Sequence, residues 1–334
     1  MSNSKINIKL FLLDRYKSLK KVEEKILIKM YKEPLLIAKK DREQASTMTE
    51  QEKTFYYNWT EVKKEKITFV ETESETIAKE ILEAHAELEY PKLRKKDSQG
   101  MILPKKDRVQ DTSIKVIFFE MEGSIYLLIF TSNEAHTDRV QKLIGQNLIK
   151  EVDEKYQIES DLFNWLFYRY SVFKGELSNE LIVKNISGFT GNSIDEHNVF
   201  KSSSDQTSDL IVTKAFISNG EMLKNVTTRI NNTEGEFVFS IDQNSNVSLF
   251  VRQSFIYFNS GDLDTTLPVY LYNVLIPAIK EIYIEHSKEF LGIEKKQFSV
   301  KIGLEVIQSI MKKNNIELED IQTSISEKEL TALR

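Results

Sequence analysis

The chain has no cysteine among its 334 residues. That absence excludes disulfide cross-links, thiol nucleophiles and cysteine-ligated zinc, and it fits a reducing, cytosolic setting. Proline (5) and glycine (11) are scarce, so long coil-like linkers are not expected. Histidine is scarcer still. His85, His136, His197 and His286 are the four, and no two are spaced to share a metal on one element. No apolar run approaches the roughly 20 residues that span a bilayer. The first residues lack the apolar stretch of a secretory signal. The expectation is therefore a cytoplasmic protein without membrane insertion.

Sequence fingerprints are also missing. There is no Gly-x-Ser-x-Gly elbow, no Walker loop and no Gly-x-Gly-x-x-Gly. Gly188-Phe-Thr-Gly191 offers a lone Gly-x-x-Gly ahead of Lys201 and Ser202 to Ser204, and a polar turn explains it better than a phosphate cradle. Asp195, Glu196 and His197 are consecutive, so on a regular element they point in different directions and are poor joint metal ligands. Asp262 and Asp264 form a lone acidic pair in a turn without a third ligand, and Asp153, Glu154 and Lys155 do not sit on an expected strand. No catalytic residue, metal site or cofactor is singled out.

What the chain does have is 40% hydrophobic residues, 29% charged ones and an uneven charge. Residues 1–110 hold 24 basic and 19 acidic side chains, a balance of +5, while 111–334 hold 22 and 32, a balance of −10. The opposite signs divide the chain into a basic α/β N-terminal region, 1–110, and a C-terminal domain, 111–334.

The pattern centres on 113–144. Two apolar runs rich in β-branched and aromatic residues flank Glu122-Gly123-Ser124, the form of a β-hairpin. Both runs are apolar almost throughout, which predicts burial on two faces in mid-sheet. Val140, Leu143 and Ile144 then share one side of a helix over 134–144. Upstream, 5–13 alternates as a strand, 14–31 fits helix or strand, 41–51 is a polar loop and 65–70 is a short strand. The acidic run 72–76 resembles a helix start, and Ile77, Ile81, Leu82 and Leu88 give that helix an apolar face.

Downstream, 151–159 is acidic, and 161–173 predicts a half-buried aromatic helix carrying Trp165 and Tyr170. Strands are expected over 181–186, 226–230, 236–241 and 247–258, with turn-forming links that make the last three an antiparallel meander. The segment 187–209 is polar and 210–217 is short and apolar. Helices over 267–290, bent or started by Pro277, and over 298–313 close the pattern, and the last twenty or so residues are loosely held. The fold class is thus α+β: a mixed N-terminal region with the central hairpin, and a C-terminal antiparallel sheet flanked by helices.

One segment points outward. Lys92, Arg94, Lys95, Lys96, Lys105, Lys106 and Arg108 crowd into 92–108 with only Asp97 and Asp107 among them, and Gly100 and Pro104 mark a loop. Such a run can neutralise phosphates and release their counterions, positioning a duplex without reading its sequence. Aromatics are absent from it, so stacking on single strands is not indicated. A solvated mobile loop is the competing explanation.

The hairpin, with its Ile-Phe-Phe-Glu-Met-Glu-Gly-Ser-Ile-Tyr-Leu-Leu-Ile-Phe-Thr pattern and the charged helix after it, resembles RexA-type phage-exclusion proteins of temperate bacteriophage. The stretch from Gly188-Phe-Thr-Gly-Asn-Ser through Val212-Thr-Lys-Ala adds to that likeness, as it does to bacterial phage-defence proteins such as the Kiwa DNA-binding component. The resemblance covers under half the chain and implies a cytosolic, dimeric, non-sequence-specific DNA binder acting in abortive infection. It carries over no catalytic residue. The leading expectation is therefore a nucleic-acid-binding protein, acting on double-stranded DNA, as a homo-oligomer or with a partner defence protein. The alternatives are an interaction or sensor module using the aromatic helix 165–170, and an Asp/Glu-based nuclease or phosphodiesterase.

Overall fold

The computed structural model describes residues 5–72, 75–152, 154, 156–192, 199–203, 211–257, 261–320 and 322. Asp153, Lys155, Ser204, the 195–197 triplet and most of the last twenty residues lie outside that set. The fold is an α+β mixture with antiparallel strands. The strands are β1 (Lys5–Leu13), β2 (Met30–Pro34), β3 (Thr54–Thr72), β4 (Glu75–Pro91), β5 (Val109–Met121), β6 (Ser124–Ile129), β7 (Ile149–Lys150), β8 (Ile182–Asn192), β9 (Val199–Ser203), β10 (Met222–Asn231), β11 (Gly235–Asp242), β12 (Val247–Phe250) and β13 (Phe255–Ile256). The α-helices are α1 (Leu19–Lys25), α2 (Arg42–Ser46), α3 (Lys105–Arg108), α4 (Glu134–Ile144), α5 (Ser160–Val172), α6 (Ile211–Ser218), α7 (Leu263–Tyr270), α8 (Ile276–Glu289) and α9 (Lys295–Asn314).

The chain divides into two compact units, one of residues 1–157 and 244–277, the other of 158–243 and 278–334. The division expected after residue 110 does not coincide with them. It would fall between β4 and β5, which pair along their length from Ile81↔Phe119 to Pro91↔Val109.

The first unit is built on a sheet of order β2-β3-β4-β5-β6-β1-β12, with β7 beside β1. The central hairpin forms as its pattern dictates. Met121 pairs with Ser124 across a two-residue turn, and Glu122 (φ 51°) and Gly123 (φ 72°) both take the left-handed backbone that such a turn requires. Leu82, Ala84, Ala86 and Leu88 of β4 point to one face with Val116 and Phe118 of β5 and Leu127 and Ile129 of β6. On that face they meet Val22 and Ile26 from the α1 region and Val140, Leu143 and Ile144 of α4. The Asn133 side chain caps α4 by accepting from the Ala135 amide (2.9 Å). The opposite face carries Ile117, Phe119, Tyr126 and Leu128, also buried. Tyr126 contacts Tyr156, and the Tyr156 hydroxyl donates to the Tyr272 carbonyl just past α7 (2.8 Å).

The helix expected over 77–88 is strand β4. The misreading has a physical source. Ile77, Ile81, Leu82 and Leu88 fit a helical stripe, and Ala, Glu, Lys and Leu favour helix. The buried alternation runs instead through Leu82, Ala84, Ala86 and Leu88, and its two middle members are small. A strand paired on both sides overrides the local preference. The short strand expected at 65–70 is likewise part of the nineteen-residue β3, and part of the polar 41–51 loop is the short helix α2.

The second unit holds the sheet β11-β10-β8-β9 with α5, α6, α8 and α9. Gly188 and Gly191 lie within β8, paired to β9 and β10, and so form no turn or phosphate cradle. Their small size answers to packing. A Cβ at Gly191 would lie 2.4 Å from the Phe216 ring of α6, and one at Gly188 3.0 Å from the Ser202 carbonyl oxygen. The expected strand over 247–258 breaks into β12, a 3-10 turn and β13. Pro277 lies two residues past a π-helical turn, Leu271–Leu275. Within the helical run Leu263–Asn314, one window is long and apolar enough to cross a membrane by length and composition, and 61% of it is buried, as in a core helix.

Candidate nucleic-acid interface

The register of the first sheet brings one of its ends together. Pro34 pairs with Thr54, and Pro91 pairs with Val109. The connection 35–53 and the basic segment 92–108 therefore leave the sheet at the same end. They are fastened to each other. The Gln44 side chain accepts from the Ile102 amide (2.7 Å) and donates to its carbonyl (3.0 Å). Lys96 bonds Asp41 at 2.6 Å. The Arg108 guanidinium donates to the Glu52 carbonyl and, at 2.9 Å, to the Leu103 carbonyl.

Segment 92–108 has local order of its own. Lys96 and Ile102 bridge as a miniature hairpin, and the Leu103 amide donates to the Lys95 carbonyl (3.0 Å). Asp97 closes its tip by accepting from the Gln99 and Met101 amides, both at 2.9 Å, and Gly100 supplies the left-handed residue (φ 83°). Pro104 precedes the single turn of α3.

The seven cations of this segment divide by role. Arg108 is 2% exposed, and burial pulls its pKa below the ordinary guanidinium value against the opposing pull of Glu52 and Glu89. Its donors are spent on backbone carbonyls, so it ties the loop down and does not face a phosphate. Lys96 is committed to Asp41. Lys105 bonds Glu89 (2.6 Å) and lies over the Tyr56 ring (4.6 Å). Lys92 and Arg94 reach only nearby carbonyls, of Lys106 and Lys96, at 3.5 and 3.4 Å. Among the described residues, the exposed Lys95 and Lys106 have no side-chain partner.

The other connection adds three cations that sequence reasoning missed. Lys39, Lys40 and Arg42 are exposed on the 3-10 turn Lys39–Asp41 and the start of α2. The only sequence signal was the run Lys39-Lys-Asp-Arg. Nothing along the chain connects it with residues fifty positions later; the sheet register does. The composite surface carries Lys39, Lys40, Arg42, Lys92, Arg94, Lys95 and Lys106, against Glu43, Glu50 and Asp107 as exposed acids, of which Glu50 pairs with Lys53.

A second cluster lies on the sheet face that meets α7. His85 of β4 stands opposite Lys115 of β5, with Glu83 two residues away on the same face. Glu83 is 6% exposed and bonds Lys115 at 2.8 Å, and it accepts from the Thr265 hydroxyl at 2.9 Å. Burial pushes the Glu83 carboxyl pKa up, but Lys115 and Thr265 outweigh it and hold the pKa below the ordinary value. Asp262 caps α7 through the Asp264 amide (3.2 Å). Glu83, His85, Lys115, Asp262, Asp264 and Lys5 line a cleft of about 620 Å³. The His85 Nε2 is 3.9 Å from both Glu61 and Glu83, so neither carboxylate orients the ring by a hydrogen bond, while its Nδ1 lies 3.1 Å from the exposed Ser113 hydroxyl. No three His, Asp or Glu side chains among the described residues form a metal-binding group. The cluster reads as a structural ion pair. It was hidden because 77–88 fits a helical pattern.

The aromatic helix α5 is not an exposed contact face. Leu162 to Tyr168 are all buried, Trp165 at 1% exposure, and Trp165 packs edge-on to Tyr283. Comparison with protein-family models and with curated protein sequences returns no match.

Proposed function

We propose that the protein binds nucleic acid without base specificity, through the phosphates of double-stranded DNA, in a defence or abortive-infection setting. The observation that carries this reading is the composite basic surface. Two connections far apart in sequence are fastened together at one sheet end, and seven surface cations gather there with three exposed acids. Phosphate-facing lysines and arginines on a fixed base position a duplex through its backbone and carry no base code. Buried Arg108 and paired Lys96 and Lys105 hold that base in place. The test is competition binding with unrelated duplexes of equal length. Equal affinity for all of them, lost when Lys92, Arg94, Lys95 and Lys106 become alanine, supports the reading. Strong preference for one sequence, or full affinity in the variant, removes it.

A second reading, self-association, is favoured by α9. Ile293, just before it, and Val300, Leu304 and Ile307 are 66, 56, 54 and 50% exposed, while Phe298, Ile302 and Val306 bury the other side. The exposed set is spaced by seven, four and three residues, which keeps it on one side of the helix as in a helix–helix seam. A second copy of the chain pairs with such a seam most simply. Light scattering after size exclusion tests it. A dimer that Leu304→Glu converts to monomer supports the seam, and an unchanged mass in the variant refutes it.

A further inference from the structure

The second unit, whose sequence is drawn from the acidic part of the chain, contains a cavity of about 440 Å³ with four lysines among its ten lining residues. Four different elements supply them: Lys174 from the turn after α5, Lys184 from β8, Lys214 from α6 and Lys301 from α9. The single carboxylate in the lining, Glu305, bonds Lys214 at 2.8 Å. Among the described residues, no acid pairs with Lys174, Lys184 or Lys301. Four lysines and one carboxylate thus line a concave site, with Lys174, Lys184 and Lys301 solvent-exposed. Walls of one charge sign focus the potential inward, and the mutual repulsion is relieved when an anion enters.

The backbone holds this arrangement under constraint. Lys174 takes a left-handed conformation (φ 54°), which side chains other than glycine seldom adopt. The next residue, Gly175 (φ 87°), lies so close to β8 that a Cβ there would be 2.0 Å from the Val183 carbonyl oxygen. The Val183 amide donates to the Gly175 carbonyl (2.8 Å), and the Gly175 amide donates to the Arg169 carbonyl (3.0 Å). This contact brings Lys174 beside Lys184. A residue held in a disfavoured conformation by its surroundings is where binding sites keep strain.

Apart from Ser171, the remaining lining is apolar or aromatic. Phe298 and Ile302 are buried, and Tyr170 and Val172 stand at the edge. The volume suits a small molecule and is too small for a duplex. We propose that this cavity binds a nucleoside di- or triphosphate, its phosphates on Lys174, Lys184 and Lys301 and its base against Phe298, Ile302 and Tyr170. The site lies apart from the basic sheet end in sequence and unit, and it does not depend on DNA binding.

The test is isothermal titration of the full chain with ATP, ADP, AMP, pyrophosphate and adenosine. Saturable binding of ATP and ADP is expected, with AMP and pyrophosphate weaker and adenosine silent. Lys184→Ala and Lys301→Ala should each weaken ATP by roughly tenfold, the loss typical of one charged hydrogen-bond donor. Glu305→Gln, which removes the only acid, should tighten it. The alanine variant at Lys92, Arg94, Lys95 and Lys106 should bind ATP as the wild type does. No saturable ATP binding overturns the proposal, as does ATP binding that survives Lys184→Ala with Lys301→Ala. Pyrophosphate binding as tightly as ATP overturns the nucleoside part. Loss of ATP binding in the sheet-end variant alone would place the ligand at the other surface.

Discussion

Replacing Arg108 by alanine separates holding the loop from holding a phosphate. The side chain is 2% exposed, and its guanidinium donates to the Glu52 and Leu103 carbonyls. Alanine leaves both acceptors unserved and opens the space beneath the loop. A hydrogen bond from a charged donor contributes about 1.5–3 kcal/mol. Water reaches part of this region once the side chain is gone, so two lost bonds should cost about 2–4 kcal/mol in total. For a unit of this size each kcal/mol shifts Tm by roughly 2–4 °C, so the variant should melt about 5–15 °C below the wild type. Lys95→Ala and Lys106→Ala, on exposed side chains, should stay within about 1 °C. Thermal unfolding by circular dichroism reads all three. An Arg108→Ala protein with wild-type Tm and DNA affinity reduced as far as in Lys95→Ala would refute this assignment and return Arg108 to the phosphate-facing set.

Glu83→Gln leaves the half-buried Lys115 with the Thr265 hydroxyl but without its carboxylate and should destabilise the protein by about 3 kcal/mol at neutral pH. The Glu83 carboxyl titrates below its unfolded value. Its contribution is therefore full above the ordinary carboxylate range and fades as pH falls through the lowered folded value. The gap between wild type and Glu83→Gln in urea unfolding should narrow on acidification, and a constant gap would show that this ion pair does not act. Gly175→Ala meets both the Val183 carbonyl and a left-handed backbone, so the expected loss exceeds about 2 kcal/mol; an unchanged urea midpoint would count against that turn. Ala84→Asp places a charge at a wholly buried position of β4 and should abolish the folded first unit, seen as lost amide-exchange protection, whereas an exposed helix position would tolerate it.

The legible parts of this fold are those whose signal is local. The hairpin turn at Glu122-Gly123, the apolar runs beside it and the helix 134–144 appear at the expected residues because turn chemistry and periodicity agree. The antiparallel link at 231–235 is equally local. β4 was not legible, because Ala84 and Ala86 are core residues only once β3 and β5 flank them. The basic segment 92–108 was visible as a charge run. Its division into fixed and exposed cations was not, since Asp41, Gln44 and Glu52 meet it only through the sheet register. The lysine cavity was invisible for the same reason. Its four cations are spread over 174–301 and converge only in the folded unit.

The measurement that tests the central claim most directly is the salt dependence of binding to a labelled random-sequence DNA duplex, followed by fluorescence anisotropy. With several of the seven surface cations on phosphates, log K should fall against log salt with a slope of about −4 to −6. Alanine at Lys39, Lys40, Arg42, Lys92, Arg94, Lys95 and Lys106 should bring the slope to about −1 or abolish binding. A wild-type slope near zero, or an unchanged slope in the variant, would contradict the assignment of this surface to nucleic acid.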